Sequence, residues 1–141
     1  MLNPYDHEDA ERLTRNVADV VEPIAALVER AAGEGDEVIY VNDNYGDWNS
    51  SQEELAERAM SGRRPDLVEP ILPPDEASFV LKARHTIFYS ALDAYVRHLR
   101  VTVAPDGVAH IHEDLADAAL KMMESNMRAT LAACADVELE A

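Results

Sequence analysis

The residues of this chain with the clearest potential for chemistry follow a short apolar run. Val38–Val41 is continuously apolar, which is typical of a strand covered on both faces in a parallel sheet. Polar and aromatic residues come next: Asn42, Asp43, Asn44 and Trp48. Because ligand sites in open α/β sheets lie at the carboxyl ends of strands, these four residues are candidates for a substrate pocket. The alternative is a solvated turn in which Trp48 packs on the surface.

A lysine ends a second apolar run. Lys82 directly follows Phe79–Leu81, so it is predicted at the carboxyl end of another buried strand. There a lysine can neutralise a carboxylate or be activated by burial, although a lysine at a strand end can equally extend into solvent. His85 follows shortly after and is a further candidate for the pocket.

Two histidines in an H-x-H arrangement are the strongest candidate metal ligands. His110 and His112 stand near the acidic residues Asp106, Glu113 and Asp114, and side chains of these types can bind zinc. No third ligand has a diagnostic spacing, so we predict neither a metal site nor a cofactor. The histidines are instead expected to add polarity ahead of a helix that begins near Glu113.

The single cysteine is the one potential thiol nucleophile of the sequence. Cys134 is predicted at the C-terminal end of a helix, where the helix dipole is negative, and Asp136 and Glu138 follow it. Negative charge raises the pKa of a thiol and disfavours the reactive thiolate. We therefore predict that Cys134 is structural or incidental rather than catalytic.

Helical stripes alternate with short apolar runs along the whole chain. The predicted helices cover 16–33, a segment that starts at Ser50 or Ser51, 89–99 and 113–133, with a kink or a restart at Pro23. The predicted strands cover 38–42, 79–82 and 100–104 and are expected to be parallel. This alternation predicts an α/β fold, a reduced Rossmann-like arrangement of three α/β/α layers around a short parallel sheet.

Composition limits the classes of partner. The 141 residues are enough for one domain, and 28 acidic against 12 basic residues give a net charge of −16. So acidic a surface repels phosphate backbones and anionic lipids, which excludes nucleic acid and the membrane surface as partners. A single cysteine, with no apolar signal segment and no membrane span, favours the cytoplasm.

Three segments in order resemble the isochorismatase-like cysteine hydrolases: PIAALVERAAGEGDEVIYVNDNYGDW, FVLKARHTIFYSALDAYVRHL and RVTVAPDGVA with the helix after it. The resemblance implies a Rossmann-type α/β/α sandwich that hydrolyses small amides or vinyl ethers. It also implies a triad of an aspartate after the first strand, a lysine after the third and a cysteine at the start of a later helix. Lys82, within VLKARH, matches the lysine.

The chain departs from the family pattern at two places. MLNPYDHEDAERL resembles the residues that follow the family aspartate, so that aspartate and the first strand would precede Met1. Between Leu99 and Arg100 the chain skips a strand, the cysteine-bearing turn and most of a helix. In a sheet of order 3-2-1-4-5-6 the absent strands are 1 and 4, which meet at the ligand-binding switch point. We expect Val38–Asn42 to pair with Val101–Val103 in a three-stranded sheet, or the chain to recruit a partner.

Residues 1–141 then form a single, incomplete domain with two main classes of function. The first is a hydrolase-derived protein, inactive alone because the aspartate and the cysteine of the triad are absent. The second is a non-catalytic assembly protein that uses the family's oligomer surface, as a homo-oligomer or with an intact family member. A residual enzyme that uses Asp43 or Asp47 with Lys82 is a more distant third. Uncovered strand edges and apolar helix faces predict a marginal monomer that oligomerises or binds a partner.

Overall fold

The computed structural model of the protein describes residues 2–75, 77–82 and 87–139. Helices and strands alternate along these residues: α1 (Ala10–Glu34), β1 (Ile39–Asp43), α2 (Gln52–Met60), α3 (Pro65–Val68), β2 (Ser78–Lys82), α4 (Ile87–Val96), β3 (Thr102–Val103), α5 (Glu113–Met127) and β4 (Thr130–Leu131). Short 3-10 turns lie at Glu69–Ile71, Pro105–Gly107 and Cys134–Asp136. Within the described ranges, no helix has both the length and the apolar character needed to cross a membrane.

The strands form parallel pairs, each joined by a helical crossover. β1 lies beside β2 in a register that sets Asp43 opposite Lys82, and α2 and α3 lie between them in the sequence. β3 lies beside β4 with Val103 opposite Leu131, and α5 connects them. The prediction of an α/β fold with short parallel strands is therefore confirmed.

The prediction that Val38–Asn42 would pair with Val101–Val103 is wrong. Among the described residues, β1 is hydrogen-bonded to β2 alone and β3 to β4 alone. The chain between the strands of each pair is a local helical crossover, α2 and α3 between β1 and β2 and α5 between β3 and β4. Consecutive strands therefore pair within each half, and the sheet is divided.

Helix α1 packs against both halves of the molecule. It contacts α3 and the turn Glu69–Ile71, which belong to the β1–β2 half, and the turns Pro105–Gly107 and Cys134–Asp136, which belong to the β3–β4 half. Its helical spacing buries one stripe of small and branched apolar side chains: Ala10, Val17, Val20, Val21 and Ala31.

The ends of α1 differ from the predicted ones. The helix begins at Ala10 rather than at residue 16, and it continues through Pro23. Of the two predicted outcomes at Pro23, a kink or a restart, the restart is therefore wrong. It ends where Gly35 adopts φ 89°, a left-handed conformation that a residue without a side chain reaches at little cost. The Gly35 N–H donates to the Ala32 carbonyl and so satisfies one of the last free carbonyls of the helix.

The last two helices are shorter than their apolar patterns predict. α4 ends at Val96 rather than at residue 99, and His98 follows with φ 62°. α5 ends at Met127 rather than at residue 133, because Arg128 turns the chain with φ 55°. The residues beyond it form β4, a strand that the sequence analysis assigned to the helix.

Buried apolar side chains form two clusters, one in each half. The larger joins α1, α2 and α3 to the N-terminal segment and includes Leu2, Tyr5, Val21, Leu55, Val68 and Ile71. The smaller joins α4, α5 and β3 and includes Ala91, Val103, Met123, Met127 and Ala129. The division of the sheet is thus repeated in the core.

Gly62 offers a test of how the N-terminal segment packs. A Cβ at this position would lie 2.5 Å from the Pro4 Cα and 2.7 Å from the Pro4 carbonyl carbon, and the Arg63 N–H donates to the Pro4 carbonyl at 2.9 Å. Since backbone atoms must move to relieve this clash, Gly62→Ala is expected to lower the free energy of unfolding by about 1–3 kcal/mol in urea titrations. Gly33→Ala, within α1, meets no atom within 4 Å and should be neutral or stabilising by up to about 1 kcal/mol. Equal effects of the two substitutions would contradict this packing.

Candidate functional site

The carboxyl end of β1 holds the start of the described chain in place. The buried Asn42 side chain accepts the Leu2 N–H through Oδ1 at 2.9 Å and donates through Nδ2 to the Leu2 carbonyl at 3.3 Å. Nδ2 also donates to the Asp43 carbonyl at 3.1 Å. One side-chain amide therefore satisfies both backbone groups of Leu2, as a neighbouring strand would.

Tyr45, which the sequence analysis did not select, adds a contact to the same residue. Its hydroxyl donates to the Leu2 carbonyl at 2.6 Å, and the Arg58 guanidinium lies 5.3 Å from the ring centroid. Burial, and then the negative charge of Asp43, raise the pKa of Tyr45 from 10.0 to about 12. In the sequence, Tyr45 could have been selected as an aromatic residue within a polar turn. That pattern does not reveal a contact with a residue 43 positions away.

Asn44 is deeply buried but only partly satisfied. Its side chain is 3% exposed, and its Oδ1 accepts the Gly46 N–H at 3.1 Å. Its Nδ2 is buried and has no hydrogen-bond partner among the described residues. An unsatisfied buried donor costs about 1–3 kcal/mol. This end of β1 therefore holds one free amide donor.

The other residues that the sequence analysis selected lie either at this end of the β1–β2 pair or in solvent, apart from one outside the described ranges. The register sets the Cα of Asp43 opposite that of Lys82, so both residues reach the carboxyl end of the β1–β2 pair, and Asp43 Oδ1 accepts the Tyr45 N–H at 2.9 Å. Trp48 is 63% exposed, so its ring faces solvent rather than a pocket. His85 lies outside the described residues.

Cys134 lies in a different setting from the predicted helix end. It follows β4 in the turn Cys134–Asp136 and is buried, and its N–H donates to Asp106 Oδ1 at 2.8 Å. Burial, followed by the hydrogen bond and the charge of Asp106, raises the pKa of the thiol from 9.0 to about 11. The predicted cause, a helix dipole, is wrong, whereas the predicted direction agrees with this environment.

The histidine pair lies ahead of α5, beside α1. The Asn16 Nδ2 donates to the His110 carbonyl at 2.7 Å, and both histidines line a cleft with Arg12 and Arg15. Two guanidinium groups repel a metal cation. No group of three or more potential metal ligands occurs in the part of the chain that the structure describes.

Comparisons with known proteins give one relative by sequence and one by fold. No family model matches the sequence. The uncharacterized isochorismatase family protein YaaI of Bacillus subtilis (strain 168) is 25% identical over 154 aligned positions, which cover 89% of this chain and 85% of the relative. The crystal structure of nicotinamidase PncA from Bacillus subtilis matches with a TM-score of 0.59 at 14% identity, covering 85% of this chain and 86% of that one. The sequence alignment is longer than the chain of 141 residues, so the relative carries positions that have no counterpart here.

The pH dependence of the Tyr45 contact is testable. At pH 7, Tyr45→Phe is expected to lower the free energy of unfolding by about 0.5–1.5 kcal/mol, because the bond to Leu2 is lost. The folded-state pKa of Tyr45 is raised, to about 12, so the contribution of the hydroxyl is complete below pH 10 and is lost as the pH rises through 12. Urea titrations from pH 7 to 11 should therefore show the wild type and the variant converging. Tyr89→Phe, at an exposed tyrosine, is the control, and a constant difference for Tyr45→Phe would contradict the assignment.

Proposed function

Because this chain is an isochorismatase-like protein in sequence and in fold, we propose that it is a hydrolase-derived protein without cysteine-dependent hydrolysis of its own. The observation that carries this proposal is the environment of its single thiol. Cys134 follows β4, late in the chain and buried, whereas the family places its cysteine at the start of a helix that follows the lysine strand more closely.

The chemistry of the thiol supports the same conclusion. Attack on an amide or a vinyl ether requires a thiolate, which active sites stabilise with nearby positive charge or a helix N-terminus. Burial of the Cys134 thiol and the carboxylate of Asp106 beside it outweigh the opposing charge of Arg30, so the pKa of the thiol is raised to about 11. At neutral pH it therefore remains protonated and non-nucleophilic.

The division of the sheet gives the second line of support. In a sheet of order 3-2-1-4-5-6, ligands bind at the switch point between strands 1 and 4. The two strand pairs are not hydrogen-bonded to each other in the described part of the chain, which fits a protein without those two strands. On this proposal, the β1–β2 pair corresponds to the part of the site with the family lysine, and Asn42, Asp43 and the Lys82 position lie at one end of it. The part that carries the family nucleophile has no counterpart among the described residues.

Assembly with another chain is the second candidate function. The surface that favours it is here called the α4–α5 face and consists of exposed apolar residues on and next to two helices that pack together: Tyr89, Leu92, Val96, Leu99, Leu115 and Met122. α4 carries one charged side chain, Asp93, in a chain of which 28% is charged. An uncharged face suits a homo-oligomer, or an intact family member with a matching face.

Hydrolase activity can be tested directly. The purified chain is expected to show no hydrolysis of nicotinamide, isochorismate or simple amides above background, and Cys134→Ala should leave any trace rate unchanged. A clear rate that disappears in Cys134→Ala would refute the proposal.

The thiol itself supplies the matched physical measurement. At pH 8, a shift of the pKa from 9.0 to about 11 reduces the thiolate fraction about 100-fold. Alkylation by iodoacetamide should therefore be at least that much slower in the native protein than in guanidinium. Similar rates in the two states would show that the thiol is accessible and ionised.

Association through the α4–α5 face can be tested with one charge. Val96 is 65% exposed, and each large apolar side chain left uncovered forfeits roughly 1.5–3 kcal/mol of burial. We expect sedimentation at micromolar concentration to show an oligomer whose melting temperature rises with concentration. Val96→Glu should shift it to monomer, whereas Ala26→Glu, on the exposed side of α1, should not. A wild-type monomer with a cooperative, concentration-independent melt at high temperature would exclude assembly.

A further inference from the structure

A polar cleft of about 630 Å³ lies between the N-terminal part of α1 and the start of α5, and it is here called the α1–α5 cleft. Arg12, Arg15 and Asn16 line it from α1, and residues 110–114, which include both histidines of the H-x-H arrangement, line it from the other side. Asn16 fixes one wall to the other through the bond that its Nδ2 donates to the His110 carbonyl at 2.7 Å. The volume is within the range of roughly 300–1,000 Å³ that is typical of small-molecule sites.

The α1–α5 cleft brings together two guanidinium groups and two carboxylates. Arg12 and Arg15 are three residues apart on α1, so they share one face of the helix with about 5–6 Å between their Cβ atoms. Glu113 and Asp114 are the first two residues of α5. All four residues are exposed, so a solute can reach their charged groups directly.

These opposite charges line one cleft without pairing with each other. Two other exposed arginines do pair with a nearby carboxylate, Arg64 with Asp66 at 2.6 Å and Arg97 with Asp93 at 3.2 Å. Within the described ranges, none of the four charged side chains of the cleft makes an ion pair. The space between the two sets of charges is therefore open to a ligand that contacts both.

The balance of these charges selects the ligand. Two guanidinium groups and two carboxylates cancel in formal charge, although the whole chain carries −16. A simple anion in the cleft meets the repulsion of Glu113 and Asp114, and a simple cation meets that of Arg12 and Arg15. A molecule that carries both charges, separated, can place each one next to groups of the opposite sign.

We propose that the α1–α5 cleft binds a small zwitterion, a molecule with one carboxylate and one ammonium group on a short polar body. The carboxylate accepts hydrogen bonds from Arg12 and Arg15, because the donors of a guanidinium group match the two oxygens of a carboxylate. The ammonium donates to Glu113 or Asp114. None of these residues takes part in the hydrolase proposal, so this inference stands or falls independently of it.

The direct test varies the ligand charges one at a time. Glycine, 3-aminopropanoate and 4-aminobutyrate carry the same two charges at increasing separation, and each is titrated at pH 7 into the full ¹⁵N-labelled chain. At least one should shift amide resonances of residues 12–16 and 110–114. The N-acetyl and carboxamide derivatives of the tightest binder each lack one charge and should bind at least about ten-fold more weakly, because each loses a charge-assisted contact. No shift at millimolar concentration, shifts only elsewhere, or equal affinity of the derivatives would overturn the proposal.

The arginine side of the cleft is tested by one pair of variants. Arg15→Gln removes a guanidinium group that the carboxylate contacts and should weaken binding of the zwitterion at least about ten-fold. Arg63→Gln makes the same charge change at an exposed arginine outside the lining and should leave the affinity unchanged. Equal losses in the two variants would mean that only the overall charge matters and would refute the site.

The carboxylate side is tested by two double variants of the same helix. Glu113→Gln with Asp114→Asn removes both acceptors of the ammonium and should weaken binding at least about ten-fold. Asp117→Asn with Glu124→Gln makes the same charge change at exposed positions of α5 outside the lining and should not. Melting curves verify that both double variants are folded. Full affinity in the first double variant would show that the ammonium is bound elsewhere and would refute the proposal.

Discussion

The contacts of helix α1 with both strand pairs are the interaction on which the rest of this structure depends. The pairs share no hydrogen bonds among the described residues, so the union of the halves falls to α1. Arg30 donates from its guanidinium to the carbonyls of Cys134 and Val137, each at 2.8 Å, and Asn16 donates to the His110 carbonyl. These directional bonds attach the β3–β4 half to a helix whose residues Ala10, Val17 and Val21 belong to the apolar cluster of the other half.

The divided sheet also accounts for the open apolar surface. A parallel sheet is normally covered on both faces, yet Ile39 is 54% exposed and Val80 is exposed as well. Each pair has two strands in the described part of the chain, so its faces have few neighbours to cover them. The α4–α5 face adds a second uncovered apolar surface. Another chain is one way to cover both.

Local patterns predicted most of the elements but not their assembly. The apolar runs before Asn42 and Lys82 are long enough to indicate strands, and the register of β1 and β2 brings their ends together as expected. β4 was missed because its two residues continue an apolar helical pattern, and the backbone conformation of Arg128, rather than any periodicity, ends α5. The role of Tyr45 was missed because it depends on a tertiary contact. The expectation of a three-stranded sheet was wrong because β1 and β3 belong to separate pairs, and the pairing of strands that are distant in the sequence is not encoded in a local pattern.

Cys134 shows how a correct consequence can follow from an incorrect cause. The sequence places acidic residues after it and an apolar helical pattern before it, which indicates a helix end that disfavours a thiolate. In the structure, the pKa of the thiol is raised by burial and by Asp106 rather than by a helix dipole. Asp106 lies in the turn that precedes α5. Both causes act in the same direction because the chain is acidic throughout, so most neighbours that a buried thiol can acquire are carboxylates.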